Sequence, residues 1–311
     1  MIIWTLLDGR IGSDKQTLGL SNSLYGDTIK KNIKYTSLIK LPNFLLGDSL
    51  FGVDTKNSDD IFTDLPDLVI CSGRRLARVA LNIKKRNKGK TKIITILNPN
   101  FCFSKFDLVI LPKHDNKKGK NVLTFVGTLA DMDKNKLADE TSKFEQKFAN
   151  YKRPLVSFVI GGDTKDTKFA PEKMKAIMDL KETLLITTSR RTSDSCIKVL
   201  NENLKDNYLY DWKKEEGKDN PYFAMLGTAD FLIITGDSIS MVAEACSTGK
   251  PVYVYMPRES LGKKHYKFAT QLIKDGYARE FKEGTILEKY SYEPLNELSK
   301  IVKQIKELNV I

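Results

Sequence analysis

The sequence predicts an α/β protein of two Rossmann-like domains facing across a cleft, closed by a C-terminal helix that returns to the first domain. Three observations carry this expectation. Short apolar runs rich in β-branched residues recur along the chain, and each stops at a turn signal before an amphipathic segment, which is the alternation of a parallel sheet. Between Gly127 and Arg153 that alternation breaks: charged residues dominate and strands cease. Glycine-bearing loops at strand ends occur on both sides of the break, at Gly9 and Gly12 and again at Gly161 and Gly162. The expected boundaries are residues 1–128 for the first domain, 129–153 for a connector, 154–290 for the second domain and 291–311 for the last helix.

In the first half, Ile2 to Leu7 reads as a strand, followed by the loop Asp8 to Gln16 and an amphipathic stretch through Leu18, Leu20 and Leu24. The loop lacks the G-x-G-x-x-G spacing of a dinucleotide fingerprint, so a tight turn and a ligand loop both stay open for Gly9, Gly12, Ser13 and Asp14. Residues 41–60 read as an irregular connection. Pro66 to Ile70 is a strand ending in Cys71-Ser72-Gly73-Arg74-Arg75, where the arginines either reach an anion or simply solvate a first helical turn carrying Leu76, Val79, Ala80 and Ile83. Further strands follow at Ile93 to Leu97, Phe106 to Leu111 and Val122 to Val126, with His114 and Asp115 at a strand exit. A helix is expected around Lys136 to Ala149, and Asp131-Met132-Asp133 matches a metal-binding D-x-D only formally.

The second half opens at Pro154 with a strand, Leu155 to Ile160, ending in Gly161-Gly162-Asp163-Thr164-Lys165, where paired glycines let a ligand approach the backbone. A helix near Pro171 to Leu180 leads to the strand Leu184 to Thr188, which exits through Ser189-Arg190-Arg191-Thr192. Asn220 and Pro221 open a helix through Leu226. From Asp230 to Pro257 the chain reads as strand, helix and strand with a right-handed crossover, its helix capped by Asp237 or Ser238 and ended by Gly249-Lys250-Pro251. That helix start favours an anion, although Asp237 would repel a phosphate and is expected to point elsewhere or to accept hydroxyl hydrogen bonds. Glu244, two turns on, suits a ribose diol. Lys263, Lys264 and His265 open a basic helix, and Leu295, Leu298, Val302, Ile305 and Leu308 have the spacing of the last one.

Composition narrows the function. At 311 residues and 41% apolar content the chain can build two cores. The opening MIIWTLLDGR lacks the basic start and long apolar stretch of a signal peptide, and no run reaches the ~20 residues of a membrane span, so cytoplasm is the expected compartment. Cys71, Cys102, Cys196 and Cys246 are scattered and His114 and His265 are the only histidines, which gives no zinc spacing and no disulfide framework. The net charge of +12 comes mainly from lysine, with 10 arginines among 51 basic residues. Nucleic-acid readers favour arginine, so an anionic ligand or an anionic membrane face is the expected partner instead. A P-loop is excluded because Lys250 is followed by Pro251 and the required earlier glycine position holds Glu244.

The pattern resembles the GT-B architecture of nucleotide-sugar glycosyltransferases. The span from Glu244 through Gly249-Lys250-Pro251 to Met256-Pro257 is similar to the donor-binding segment of the lipid-linked N-acetylglucosaminyl transferase of peptidoglycan synthesis, whose matching glutamate binds the nucleotide ribose. Thr188 to Thr192, Asn220-Pro221-Tyr222, Thr235 to Glu244, and Phe106 to Val109 with His114-Asp115 together resemble the mitochondrial fission family named for elongated mitochondria, over nearly the whole chain. That family includes bacterial members of unknown activity, some labelled nucleotide-sugar epimerases, while its plant members are implied to act as adaptors for a dynamin-related GTPase. One departure matters: bacterial members often carry Gly-His in the first loop, whereas Gly12 is followed here by Ser13, leaving Asp14 as the substitute base.

The resemblance implies a metal-independent glycosyltransferase-like protein with a nucleoside diphosphate sugar as substrate and no cofactor, transferring a hexosyl or N-acetylhexosaminyl group. Gly161, Gly162, Arg190, Arg191, Asp237, Ser238, Ser240, Met241 and Glu244 would hold the donor. Gly9, Gly12, Ser13 and Arg74 would line the acceptor side, with Asp14 and His114 catalytic and a lipid-linked acceptor in view. A non-catalytic adaptor and a nucleotide-sugar epimerase are the rival expectations.

Overall fold

The structure, a computed structural model, describes residues 1–26, 28–41, 46–129, 134–164, 167–203 and 206–308. It divides into two compact units, Met1–Asp131 with Asn296–Ile311, and Met132–Leu295. Each is built on one six-stranded parallel sheet.

The first unit contains β1 (Ile3–Leu7), β2 (Ile29–Asn32), β3 (Leu68–Ser72), β4 (Lys92–Ile96), β5 (Leu108–Pro112) and β6 (Val122–Phe125), in the order β2-β1-β3-β4-β5-β6. Central strands such as β3 and β5 are buried on both faces, which is why they read as continuous apolar runs. β2, with the sequence Ile-Lys-Lys-Asn, carries no such signal: it is an exposed edge strand that its lysines protect from further pairing. Helix Ile11–Tyr25 begins earlier than the sequence suggests, so Gly12 and Ser13 lie in its first turn and the loop after β1 shrinks to Asp8–Arg10. Helix Gly73–Arg86 presents Leu76, Val79, Ala80 and Ile83 to the core, as their spacing requires.

The second unit contains β7 (Leu155–Val159), β8 (Thr183–Thr187), β9 (Tyr208–Tyr210), β10 (Phe231–Thr235), β11 (Val252–Tyr255) and β12 (Arg279–Phe281), in the order β12-β11-β10-β7-β8-β9. β10, helix Ile239–Cys246 and β11 form the expected crossover, with Leu232 opposite Val252 and Thr235 opposite Tyr255. The stretch read as a connector joins this unit: helix Lys134–Lys143 packs on helix Tyr222–Thr228, where Gly227 leaves room for Thr141. Asp131-Met132-Asp133 and Lys165 lie outside the described residues.

Residues 285–295 form neither helix nor strand, and tyrosines fasten them along β11. The Tyr290 hydroxyl accepts from Val252 N–H at 2.9 Å and donates to Val252 O at 2.6 Å, replacing a strand's ladder with one side chain. Tyr253 exchanges two bonds with Glu288, and Tyr292 donates to Lys250 O. After this strap, helix Glu297–Leu308 rejoins the first unit, as the fold class expected. Leu298, Ile301 and Ile305 enter the core beside Leu20, Ile70 and Phe125, whereas Leu308 is exposed and Leu295 precedes the helix. Glu297 anchors the return by accepting from Val126 N–H at 2.7 Å.

Because Ile301 is sealed in that core, Ile301→Ala is expected to cost about 3 kcal/mol of first-unit stability. Hydrogen exchange should quicken in β3 and β4 and leave β7 and β10 protected; equal loosening of both sheets would contradict this assignment of the helix.

Candidate functional site

In the second sheet β10, β7 and β8 are neighbours, so the loops leaving their carboxyl ends are adjacent. Asp237 ties them together. Its carboxylate is buried, and Oδ2 accepts from Gly162 N–H at 3.0 Å and pairs with Arg191 Nη2 at 2.8 Å. Asp237 thus turns toward Gly162 and Arg191. Arg191 also donates Nη1 to Asp163 O at 3.1 Å, and its own carbonyl accepts from Asp163 N–H at 3.0 Å. Thr192 Oγ1 donates to Gly161 O at 2.9 Å and accepts from Ser189 N–H at 2.9 Å, while Ser189 Oγ bonds Gly161 O as well. Thr235 Oγ1 accepts from Gly161 N–H at 2.7 Å.

The paired glycines are explained by this closeness. A Cβ on Gly161 would overlap the Asp237 carboxylate, and one on Gly162, whose φ is +127°, would meet the Arg191 backbone. The twin arginines divide their work. Arg191 braces the loops, while Arg190 is exposed, with its guanidinium 5.9 Å from the Trp212 ring centroid and no ion pair among the described residues. Arg190 is thus the guanidinium of the pair that is not tied into the loops.

Helix Ile239–Cys246 starts at this edge. Ser238 caps it, its Oγ accepting from Met241 N–H at 3.5 Å, so that amide is partly engaged while Ser240 stands exposed. One turn further in, Glu244 Oε2 accepts from the Tyr222 hydroxyl at 2.6 Å. Burial first, then the Glu244 charge and the bond itself, raise the Tyr222 pKa well above its ordinary value, so the phenol remains a donor. Tyr222 is placed by its own helix start, where Asn220 Oδ1 accepts from Tyr222 N–H at 3.0 Å. A Tyr and a Glu 22 residues apart carry no local signal that they will meet.

In the first unit β1 and β3 are neighbours, so the segments carrying Gly9 to Asp14 and Arg74 leave adjacent strands, while His114 follows β5. Asp14 accepts from Asp8 N–H at 3.2 Å and Gly9 N–H at 2.8 Å, bracing the turn at Gly9, whose φ is +79°. Gly12 and Ser13 give their carbonyls to Gln16 and Thr17 within the helix. Arg74 donates to Ile39 O at 2.9 Å. His114 sits in a single turn after β5, with Nε2 3.6 Å from Asp115 Oδ1. Since β1 and β5 are separated by β3 and β4, the strand ends carrying Asp14 and His114 stand about 14 Å apart, three strand spacings.

Other nucleophiles and metal ligands offer little. Burial pushes the Cys71 thiol up to about 12 and raises Cys246 further, so neither supplies a thiolate at neutral pH. Among the described residues no group of three His, Cys, Asp or Glu side chains converges. Lys250 is half-buried and donates to the carbonyls of Gly227 and Ala229, which makes it a cap for helix Tyr222–Thr228.

The loop geometry predicts that Gly161→Ala destabilises the second unit by about 2 kcal/mol through overpacking against Asp237. Urea unfolding measures it, and a change below about 0.5 kcal/mol, the range of a neutral surface substitution, would count against the described packing.

Comparison with known proteins places this geometry. Residues 11–308 match the family described as mitochondrial fission ELM1. The uncharacterized protein RP120 of Rickettsia prowazekii is 33% identical, with 98% of each chain covered. The mitochondrial fission protein ELM1 of Arabidopsis thaliana is 28% identical over 78% of this chain and 64% of that protein. Among solved structures, UDP-GlcNAc 2-epimerase from Neisseria meningitidis, bound to UDP-GlcNAc, has a TM-score of 0.53 at 15% identity, covering 99% of this chain and 100% of that one. Anabaena HepE in complex with UDP and glucose gives 0.54 at 13% identity, covering 99% and 90%. A glycosyltransferase from Rickettsia africae gives 0.50 at 13% identity, covering 99% and 94%. At such identities the likeness establishes the fold, which is GT-B-like. The sequence match goes further: the chain belongs to the mitochondrial fission ELM1 family.

Proposed function

We propose that this protein binds a nucleoside diphosphate sugar in its second unit, as a metal-independent glycosyltransferase of GT-B type or a close derivative of one. The observation that carries the reading is the Tyr222–Glu244 bond. A phenol donating at 2.6 Å fixes a carboxylate one turn inside a helix that starts at the carboxyl edge of a parallel sheet, the place where open α/β sheets bind nucleotides. A carboxylate offers about four lone-pair directions, so Glu244 has the acceptor capacity for a ribose diol alongside its bond to Tyr222. Arg190 and the Ser238 to Ser240 amides meet the diphosphate and stabilise the leaving group, and no resident cofactor is needed. Two of the solved neighbours contain UDP or UDP-GlcNAc, which makes uridine the first nucleotide to try.

A second reading, a binding protein without turnover, is favoured by the first unit. Asp14 is engaged by two backbone N–H groups and stands apart from His114, which leaves the acceptor hydroxyl without a base formed by the two together. An anionic membrane surface or lipid-linked acceptor is proposed from the net charge of +12 and the exposed Lys263 and Lys264. No helix among the described residues is long and apolar enough to cross a membrane.

A nucleoside diphosphate at about a hundredfold over its Kd should stabilise the protein by roughly 2.7 kcal/mol, and Glu244→Ala should abolish that response. No thermal shift with any of the common nucleoside diphosphates would remove the donor assignment. Tyr222→Phe should weaken binding of UDP about tenfold, the worth of one charge-assisted hydrogen bond, yet leave 2′,3′-dideoxy-UDP unaffected because that ligand has no diol to align. Equal loss for both ligands would reduce Tyr222 to a packing role. Reversing Lys263 and Lys264 to glutamate should lower co-sedimentation with anionic vesicles; unchanged pelleting would dismiss that surface.

A further inference from the structure

The positive charge of the protein is unevenly placed. The first unit holds 24 basic residues against 14 acidic ones and the second 27 against 25, so ten of the twelve excess charges belong to the first. Residues 84–121 alone contain 11 basic residues and two acidic ones, and ten of those 11 are lysine.

The topology gathers this stretch at one place. All strands of a parallel sheet enter from the same edge, and β4, β5 and β6 are consecutive neighbours. Lys88 and Lys90 lie between the end of helix Gly73–Arg86 and the start of β4, Lys105 just before β5, and Lys117, Lys118 and Lys120 just before β6. Side chains tie these entries together: Lys84 pairs with Asp107 at 2.7 Å, and Asn121 Nδ2 donates to Phe103 O at 2.9 Å and to Phe106 O at 2.7 Å. The six lysines at the strand entries are exposed, with no ion pair among the described residues. The neighbouring acids are engaged, Asp107 by Lys84 and Ile93 N–H, and Asp67 by Ile2 N–H. Apolar groups stand at the same edge. Ile2 and Phe62 are exposed, the latter with the Arg86 guanidinium 4.7 Å from its ring centroid. Lys105 and Lys117 lie 5.7 and 5.8 Å from the ring centroids of half-buried Phe101 and Phe103.

We propose that this entry edge of the first sheet is a docking face for an anionic lipid bilayer. The lysines meet lipid phosphates while Ile2, Phe62 and the two lysine-covered rings reach the headgroup boundary. The form of the charge selects this partner. Arg86, the one arginine of the stretch, is engaged by Ile61 O and the Phe62 ring. What remains is a row of flexible point charges, which suits the diffuse potential of a lipid surface and lacks the rigid forks that read nucleic-acid bases. Such a face presupposes the membrane reading given above and moves its main seat from Lys263 and Lys264 to the first unit.

The test is co-sedimentation of the full-length protein with phosphatidylcholine vesicles, with and without phosphatidylglycerol. Binding is expected only with phosphatidylglycerol and should fall as salt is raised. A variant carrying Lys88→Gln, Lys90→Gln, Lys117→Gln and Lys118→Gln should bind about a hundredfold more weakly, or worse, at roughly fivefold per lysine. A control with the same loss of charge in the second unit, Lys181→Gln, Lys198→Gln, Lys274→Gln and Lys289→Gln, should bind as the parent does. All eight positions are exposed, and equal melting temperatures will show that both variants fold. Equal loss in the two variants would mean that net charge alone matters, and would overturn the docking face. Binding kept in the first-unit variant but lost on reversing Lys263 and Lys264 would remove this seat and leave the membrane reading standing. No pelleting of the parent would remove both. Tighter binding of polyuridylate than of anionic vesicles at the same ionic strength would assign the face to single-stranded nucleic acid and overturn the lipid partner.

Discussion

Asp237 is a carboxylate held out of water, 2% exposed, and that burial sets the terms for the carboxyl edge of the second sheet. A buried charge is tolerable only when paired and hydrogen-bonded, so an arginine and a backbone N–H must come to it. Arg191 comes from the loop after β8 and the N–H of Gly162 from the loop after β7. Neither loop can approach so closely with a Cβ in the way, which fixes both glycines. The glycine pair, the second arginine of the Arg-Arg dipeptide and the aspartate at the helix start are thus one device seen at three places in the sequence.

That device leaves the neighbouring positions to do other things. With Arg191 committed, Arg190 reaches outward over Trp212, and with Asp237 turned inward the helix start is not shielded by its negative charge. The Tyr222–Glu244 bond adds a second fixed point one turn along the helix. The guanidinium of Arg190 and the oriented carboxylate of Glu244 are the two polar features on which the proposed nucleoside diphosphate reading rests, since such a ligand joins anionic phosphates to a hydroxylated sugar.

Much of this was legible in the sequence. Buried parallel strands announce themselves because both faces are apolar, and eight of the twelve described strands, including β3, β7 and β10, could be read in this way, with the partly buried edge strand β6 read from its apolar run. The three that could not, β2, β9 and β12, are edge strands whose exposed faces tolerate lysine, tyrosine and glutamate. The site was legible as a set of residue types at strand ends, but not as a division of roles. Which of two adjacent arginines turns inward depends on the position of Asp237, some 46 residues later, and periodicity carries no information about that. Asp14 illustrates the converse, since a carboxylate seven residues after a strand reads equally as a base and as a brace for the turn, and the backbone N–H groups of Asp8 and Gly9 take it as a brace.

The return of helix Glu297–Leu308 to the first unit bears on how the protein comes into being. A ribosome delivers residues 1–131 first, but the core formed by Leu20, Ile70 and Phe125 stays open on the side that Leu298, Ile301 and Ile305 will cover. Only after the whole of the second unit has emerged, strap included, does the missing helix arrive. The first unit, though first in order of synthesis, is the last to be finished, and it must keep an apolar face unsatisfied for about 165 residues of translation, roughly ten to thirty seconds at ordinary elongation rates. During that interval the nascent chain is a natural client for a chaperone, and a premature stop anywhere in the second half would leave both units compromised rather than one.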